Sequence, residues 1–217
     1  MSRKRVAVLI SGRGSNMAAL IEAAKAKGYP AEIVLVLSNK ADAGGLAIAR
    51  AAGIATHVID HIAFGKDRAA FDAAMQTVLA QHRIDIVCLA GFMRLLTPGF
   101  VARWPQRMLN IHPSLLPAFK GLDTHKRALE AGAKVHGATV HFVTAELDAG
   151  PIVVQAAVAV QKDDDEEALA ARVLHQEHRI YPLALKLLAE GRIRVENGHC
   201  LVDGVPVPDT ASLHPLT

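Results

Sequence analysis

The chain has 217 residues, of which 51% are apolar and only 4% aromatic, so it can bury the core of one α/β domain without disulfide staples. Its formal net charge of +3 is small and its basic residues are scattered, which favours small anionic ligands over nucleic acid. No apolar run approaches a membrane span and the two cysteines form no disulfide framework, so a reducing cytoplasm is expected.

The chain opens with an apolar strand over 6–10, a glycine-rich turn over 11–16 and a helix over 17–27. This order presents backbone N–H groups and a helix start to an anion, and Ser15 and Asn16 are suitable caps and phosphate donors. The turn matches neither the dinucleotide fingerprint nor a Walker loop, so neither a dinucleotide nor ATP is predicted. A tight, capped turn without a ligand is the alternative.

Strands and helices then alternate up to the middle of the chain. The pattern predicts strands over 32–37, 55–59 and 84–90, helices over 44–52 and 67–82, and a further helical turn at 97–98. Such alternation predicts a doubly wound, mostly parallel, Rossmann-like sheet in a single domain, 1–217, with halves at about 1–105 and 106–207 and a tail at 208–217. Ligands of these sheets lie beyond the carboxyl ends of the strands, so segments 12–16, 92–96 and 110–112 should share one rim.

The segment 110–117, with the sequence NIHPSLLP, follows a predicted strand that begins at residue 107 and ends at Asn110. Side chains at alternate strand positions project to the same side, so Asn110 and His112 should point together, and Pro113 ends the strand. An amide NH2 beside an imidazolium can stabilise an oxyanion. The alternative is that Asn110 caps a loop and His112 is an ordinary turn residue.

The second half of the chain adds a β extension and a long helix. A helix is predicted over 124–132, strands over 137–143 and 152–160, a turn over 146–151, a hairpin at 202–205 and a poorly ordered tail at 208–217. The acidic run 163–167 opens the long helix 166–190 and is interpreted as a charge patch that complements the helix dipole, not as a metal site.

A carboxylate neighbour raises the pKa of a histidine that must act protonated near neutral pH. Asp148 is the candidate partner of His112, with an Asx-turn before Gly150 as the alternative. His175 and His178 lie one helical turn apart, but no third ligand accompanies them, so no metal is predicted. His136 and His141 are interpreted as structural.

Four motifs together carry a resemblance that extends from residue 6 to about 194: VLISGRGSN at 8–16, LAGFMRLL at 89–96, NIHPSLLP at 110–117 and ELDAGP at 146–151. The chain resembles the folate-dependent phosphoribosylglycinamide formyltransferases. The resemblance implies transfer of a formyl group from 10-formyltetrahydrofolate, as co-substrate, to glycinamide ribonucleotide in purine synthesis, with no metal. It also implies that 106–207 is the folate-binding half and that the other half binds the nucleotide.

The resemblance further implies residue roles. The catalytic group would be Asn110, His112 and Asp148. The ribonucleotide would contact Gly14, Ser15 and Asn16 through its phosphate, and Leu174, His175, Gln176 and Glu177 elsewhere. The folate would contact Arg68, Met93, Arg94, Leu95, Leu96, Asn110, Thr144, Ala145, Glu146, Leu147 and Asp148, with the arginines at its anionic tail.

Three alternatives stay open at this point. A formyltetrahydrofolate deformylase would use the same catalytic group with water as acceptor, and would be expected to carry an additional N-terminal domain. A methionyl-tRNA formyltransferase would be expected to carry a C-terminal RNA-binding domain and a basic face. A non-catalytic binding module would need only the turn at 12–16. Partners are expected to be small molecules, with no nucleic acid and no membrane, in a monomer or homodimer.

Overall fold

The computed structural model describes residues 2–206, and its central feature is a seven-stranded sheet. The spatial order is β3-β2-β1-β4-β5-β6-β7, for β1 Lys4–Ile10, β2 Ala31–Ser38, β3 Ala55–Val58, β4 Ile86–Leu89, β5 Met108–His112, β6 Val135–Phe142 and β7 Ile152–Ala159. The first five strands in chain order pair in parallel, whereas β6 pairs antiparallel with both β5 and β7. The predicted mostly parallel, doubly wound architecture is therefore confirmed.

Within residues 2–206, six α-helices and one short 3-10 helix connect or follow these strands. Their bounds are α1 Ser15–Ala24, α2 Gly45–Ala51, α3 Arg68–Gln81, α4 Pro98–Val101, α5 Thr124–Glu130 and α6 Glu166–Ala189, with the 3-10 helix at His61–Phe64. Helix α1 begins at Ser15 instead of residue 17, and its cap is Gly14 in the left-handed conformation without a side-chain hydrogen bond. The prediction that Ser15 or Asn16 caps the helix is therefore wrong. Gly14 occupies the N-cap position, because glycine adopts the left-handed conformation there without steric cost, and Ser15 is already helical.

Strand β5 continues to His112, beyond the predicted end at Asn110. The extension follows from its neighbour, because β6 pairs Ile111 with Val140 and His112 with Thr139. A partner strand that supplies backbone hydrogen bonds can hold extended residues that a single-sequence pattern assigns to a loop. The consequence is that both Asn110 and His112 lie on a paired strand, which makes their positions rigid.

The two faces of the sheet carry two separate apolar clusters. In β1, Val6, Val8 and Ile10 pack on one face with buried residues of α1 and α6, while Ala7 and Leu9 pack on the other with residues of α3. Each fully buried valine, leucine or isoleucine side chain contributes roughly 1.5–3 kcal/mol to the stability of the fold. Both faces are thus covered, which explains why β1 is a continuous apolar run.

Helix α6 also fixes the strands that lead into the rim. The hydroxyl of Tyr181 is fully buried and lies 2.9 Å from the carbonyl oxygen of Leu89 in β4 and 3.2 Å from that of Leu109 in β5. The helix therefore contacts β4 three residues before the predicted segment 92–96 and β5 one residue before the predicted segment 110–112.

A three-stranded antiparallel sheet, β8 Ile193–Glu196, β9 His199–Val202 and β10 Val205–Pro206, follows α6 and confirms the predicted hairpin at 202–205. The tail 208–217, predicted to be poorly ordered, lies outside the described residues. Among residues 2–206, no helix combines the length and apolar character needed to cross a bilayer.

Candidate active site

The turn after β1 is shaped by two glycines in contact. Gly14 has φ +78°, and a Cβ placed on it would lie 2.7 Å from the Cα of Gly45, while the N–H of Gly45 donates to the carbonyl of Gly12 over 3.0 Å. Helix α1 starts directly after Gly14, so its first backbone N–H groups have no partner within the helix. These N–H groups, with the positive end of the helix dipole, form a suitable anion-binding site.

The side chain of Asn16 forms a hydrogen bond to helix α6. Its Nδ2 donates to Oε2 of Glu177 on α6 over 2.7 Å. Burial raises the pKa of Glu177, and the hydrogen bond from Asn16 opposes that shift. This hydrogen bond brings together Asn16 and Glu177, both of which are predicted to contact the ribonucleotide. The roles of Leu174, His175 and Gln176, which precede Glu177 on the helix, stay predictions.

A hydrogen-bond bridge that the sequence analysis missed joins the anion-binding turn to the segment 92–96. The Oγ of Ser11 accepts from the backbone N–H of Met93 over 2.7 Å and donates to Oδ1 of Asn39 over 2.5 Å. Ser11 and Asn39 are both buried. The three rim segments predicted to lie together do so because β1, β4 and β5 are neighbours in the sheet.

The structure brings Asn110, His112 and Asp148 to one place at this rim. Asn110 and His112 belong to β5, and Asp148 lies in the turn between β6 and β7 with φ +48°. Its Oδ2 is 3.5 Å from Nδ1 of His112. Gly150 makes this turn possible, because a Cβ there would lie 1.8 Å from the carbonyl oxygen of Phe142.

The segment 119–121 covers the His112–Asp148 pair. The carbonyl oxygen of Phe119 lies 3.0 Å from Nε2 of His112, and the N–H of Gly121 donates to Oδ2 of Asp148 over 2.9 Å. Both ring nitrogens of His112 therefore face oxygen acceptors, which suits a ring that carries a proton on each nitrogen.

His141, interpreted from the sequence as structural, lies within the same group of side chains. Its Nε2 is 3.2 Å from Nδ2 of Asn110 and 3.8 Å from Oδ1 of Asp148. The sequence held one signal, the alternation of residues 139, 141 and 143, but only the β5–β6 register sets His141 opposite Asn110. The other histidine interpreted as structural, His136, is buried, and burial lowers its pKa to about 4.

Several of the predicted folate residues expose apolar surface. Met93, Leu95 and Leu147 are 63%, 58% and 52% exposed. Arg94, Leu96 and Thr144 are half-buried, and Ala145 and Glu146 are exposed. Arg68 is exposed at the first position of α3. The folate roles of all these residues stay predictions.

The candidate metal pair His175 and His178 gains no further ligand in the part of the chain that the structure describes. Within that part, no group of three or more histidine, cysteine, aspartate or glutamate side chains has the arrangement of a metal site.

Comparisons with known proteins agree along nearly the whole chain. Residues 4–185 match the family model described as formyl transferase. The chain is 53% identical over 197 residues to the trifunctional purine biosynthetic protein adenosine-3 of Bos taurus, covering 90% of this chain but only 19% of that protein. It therefore spans about a fifth of the trifunctional relatives. It is 48% identical over 203 residues to the phosphoribosylglycinamide formyltransferase of Escherichia coli, covering 94% of this chain and 95% of that one.

Two solved structures also superpose on nearly the whole of this chain. The phosphoribosylglycinamide formyltransferase of Coxiella burnetii superposes with a TM-score of 0.90 at 44% identity, covering 95% of this chain and 97% of that chain. A formyltetrahydrofolate deformylase from Pseudomonas syringae superposes with a TM-score of 0.86 at 28% identity, but this chain covers 66% of that one.

Proposed function

The chain belongs to the formyl transferase family, and from that premise we propose that it transfers the formyl group of 10-formyltetrahydrofolate to the amino group of glycinamide ribonucleotide in purine biosynthesis. The similarity to an Escherichia coli formyltransferase of nearly the same extent supports this choice within the family. The observation that carries the proposal is the adjacency of two features on one rim, the anion-binding turn after β1 and the polar group around His112 at the end of β5.

The reaction begins when the amine of the ribonucleotide attacks the formyl carbon of the folate. A C–N bond forms, and the formyl oxygen becomes an oxyanion. An amide N–H of Asn110 and an N–H of His112 donate hydrogen bonds to that oxygen. Because both side chains are held on a paired strand, the donors are oriented before the charge develops.

Asp148 orients the ring of His112 and stabilises positive charge on it during this step. The carboxylate is 3.5 Å from Nδ1, so the formyl oxygen is left to interact with Nε2, where it replaces the carbonyl of Phe119 as acceptor. The intermediate then collapses with cleavage of the bond between the formyl carbon and the folate nitrogen. The proton lost by the attacking nitrogen is taken up by the departing one.

The remaining residues bind the two substrates. The phosphate of the ribonucleotide takes the backbone N–H groups of segment 14–16, and Glu177 accepts hydrogen bonds from the same molecule beside residues 174–176. The pterin lies against the exposed apolar side chains of segments 93–96 and 144–148, and the glutamate tail pairs with Arg68 and Arg94.

We also propose that the protein acts as a monomer or homodimer in the cytoplasm, on small molecules and without a resident metal. The thiols of Cys88 and Cys200 are free, and burial raises their pKa values to about 12 and about 11, so both remain protonated. A reducing compartment suits this state.

One assay tests the activity directly. Folate absorbance is followed after addition of the formyl donor, with and without glycinamide ribonucleotide. Turnover that requires the ribonucleotide supports the proposal. Turnover with water alone would favour a deformylase, and no turnover under either condition would favour a binding module.

Two substitutions test the residue roles. Asn110→Ala and His112→Ala each remove one oxyanion donor and should lower kcat by about 10²–10³-fold. His199→Ala, on an exposed position of β9, is the matched control and should leave kcat unchanged. A folded Asn110→Ala or His112→Ala enzyme with near-wild-type kcat contradicts the assignment.

A further inference from the structure

The ring of His141 occupies a defined position between a backbone oxygen and a catalytic amide. It is buried on β6, directly opposite Asn110 of β5. Its Nδ1 lies 2.9 Å from the carbonyl oxygen of Phe142, and its Nε2 lies 3.2 Å from Nδ2 of Asn110. Both distances are within hydrogen-bond range, so both ring nitrogens are engaged.

The partner at Nδ1 decides the tautomer. A carbonyl oxygen can only accept, so Nδ1 of His141 carries the hydrogen. Burial, which disfavours a charged ring, lowers the pKa of His141 and keeps the ring neutral near neutral pH. A neutral imidazole with its proton on Nδ1 has a lone pair on Nε2, and that lone pair accepts the N–H of Asn110.

We propose that His141 is a positioning residue, whose Nε2 lone pair fixes which end of the Asn110 carboxamide is the NH2 group and so directs the second N–H at the formyl oxygen. An amide nitrogen has two N–H groups, and the contact with His141 uses one of them. A carboxamide turned by 180° would set its oxygen against the lone pair of Nε2, where two acceptors repel. The inference rests on the proposed oxyanion role of Asn110 and deepens it.

The competing arrangement would protonate Nε2 of His141 and pair it with Asp148. The distance from Nε2 to Oδ1 of Asp148 is 3.8 Å, which is too long for a hydrogen bond. The other oxygen of Asp148 is occupied by Gly121 and faces His112. Contacts therefore favour Asn110 as the partner of His141.

Two substitutions separate this role from simple packing. His141→Phe keeps a planar ring but removes the lone pair, and kcat should fall by about 10–100-fold, less than for complete loss of the donor, while the KM values change little. His141→Gln supplies a carbonyl oxygen near the position of Nε2 and should restore most of kcat. If the glutamine variant is as slow as the phenylalanine variant, or if only KM changes, the inference is overturned.

A spectroscopic measurement on the unmodified protein does not depend on whether a variant folds. Long-range ¹H–¹⁵N correlation of the His141 ring at pH 7 should show a neutral tautomer with its proton on Nδ1. The side-chain N–H protons of Asn110 should differ in chemical shift, with one of them hydrogen-bonded to the ring. A proton on Nε2, or a cationic ring, overturns the inference.

A double-variant cycle distinguishes failure of this inference from failure of the proposed function. If His141 acts through Asn110, the combination of Asn110→Ala with His141→Phe should be no slower than Asn110→Ala alone. If the two substitutions instead lower kcat by the product of their separate effects, the positioning role is overturned and the proposed function stays intact. Near-wild-type kcat in Asn110→Ala would overturn both.

Discussion

The carboxylate of Asp148 lies 3.5 Å from the imidazole of His112, and both side chains are only 7% exposed. The same carboxylate oxygen accepts the N–H of Gly121 over 2.9 Å. Electrostatic interactions are stronger in such a partly dehydrated environment than in water, so the negative charge acts on His112 with little screening. This pair, on two different elements, is the relationship on which the proposed chemistry most depends.

Asp148→Asn preserves the shape of this side chain, including an oxygen that can accept from Gly121, but removes its charge. The kcat for formyl transfer should fall by about 10²–10⁴-fold, because the variant no longer stabilises a protonated His112. The KM values should change by only a few-fold. Steady-state kinetics test this, with Asp42→Asn at an exposed turn as the control. An Asp148→Asn enzyme as fast as the control excludes a role for the charge.

Glu177→Gln should weaken ribonucleotide binding while stabilising the free protein. A hydrogen bond to a charged group contributes roughly 1.5–3 kcal/mol, so KM for glycinamide ribonucleotide should rise about tenfold or more, with the folate KM unchanged. The control is Glu130→Gln, on an exposed position of α5.

The pH dependence of the same variant follows from the raised pKa of Glu177. A carboxyl group whose folded-state pKa lies above its unfolded value of 4.5 binds more protons in the folded state. Its stabilising contribution is therefore present below pH 4.5 and is lost as the pH rises through the folded pKa. At pH 7, Glu177→Gln removes a buried charge, and urea denaturation should give a higher free energy of unfolding than in the wild type. A lower value would show that the charge is compensated.

Gly14→Ala should disturb the anion-binding turn, and it should lower the free energy of unfolding more than the same substitution at another left-handed glycine. The left-handed conformation costs an alanine roughly 1–2 kcal/mol. At Gly14 the added Cβ would also lie 2.7 Å from the backbone of Gly45, whereas Gly28, with φ +85°, has no atom within 4 Å of an added Cβ. Gly28→Ala is therefore the matched control. Urea denaturation should show the larger loss of stability for Gly14→Ala, and only Gly14→Ala should raise KM for the ribonucleotide.

An ion pair between Arg172 and Asp164 stabilises the start of α6, and its contribution to stability depends on pH. Arg172 donates to both carboxylate oxygens of Asp164 over 2.7 and 2.8 Å, and these hydrogen bonds lower the pKa of Asp164 from 3.8 to about 2. A lowered carboxyl pKa stabilises the fold above the unfolded pKa, and that contribution is lost as the pH falls through about 2.

Asp164→Asn should therefore lower the free energy of unfolding at pH 7 by up to about 1 kcal/mol. The difference from the wild type should narrow as the pH falls below 4. Chemical denaturation across that pH range measures it, and Asp163→Asn, at the exposed neighbouring position, is the control. A difference that is constant with pH would assign the effect to packing instead of charge.

The sequence predicted those structural features whose cause lies within a few neighbouring residues. Apolar runs bounded by glycine or proline predicted the strands, and the pattern Asn110-x-His112 before Pro113 predicted two side chains on one side of a strand end. Element ends were less accurate, as with α1 and β5, because a left-handed Gly14 and a partner strand shifted them. The resemblance motifs added the residue roles, which stay predictions.

Only the tertiary structure decided which distant side chains meet. The antiparallel register of β5 and β6 sets His141 opposite Asn110, and a shift by one residue would turn the ring to the other face of the sheet. The contact of Ser11 with Met93 and that of Gly121 with Asp148 likewise join segments far apart in the chain. Strand register and helix packing depend on the whole core, so no local pattern contains these contacts. The sequence by itself determined the strand, the turn and the chemical groups, and the fold decided their partners.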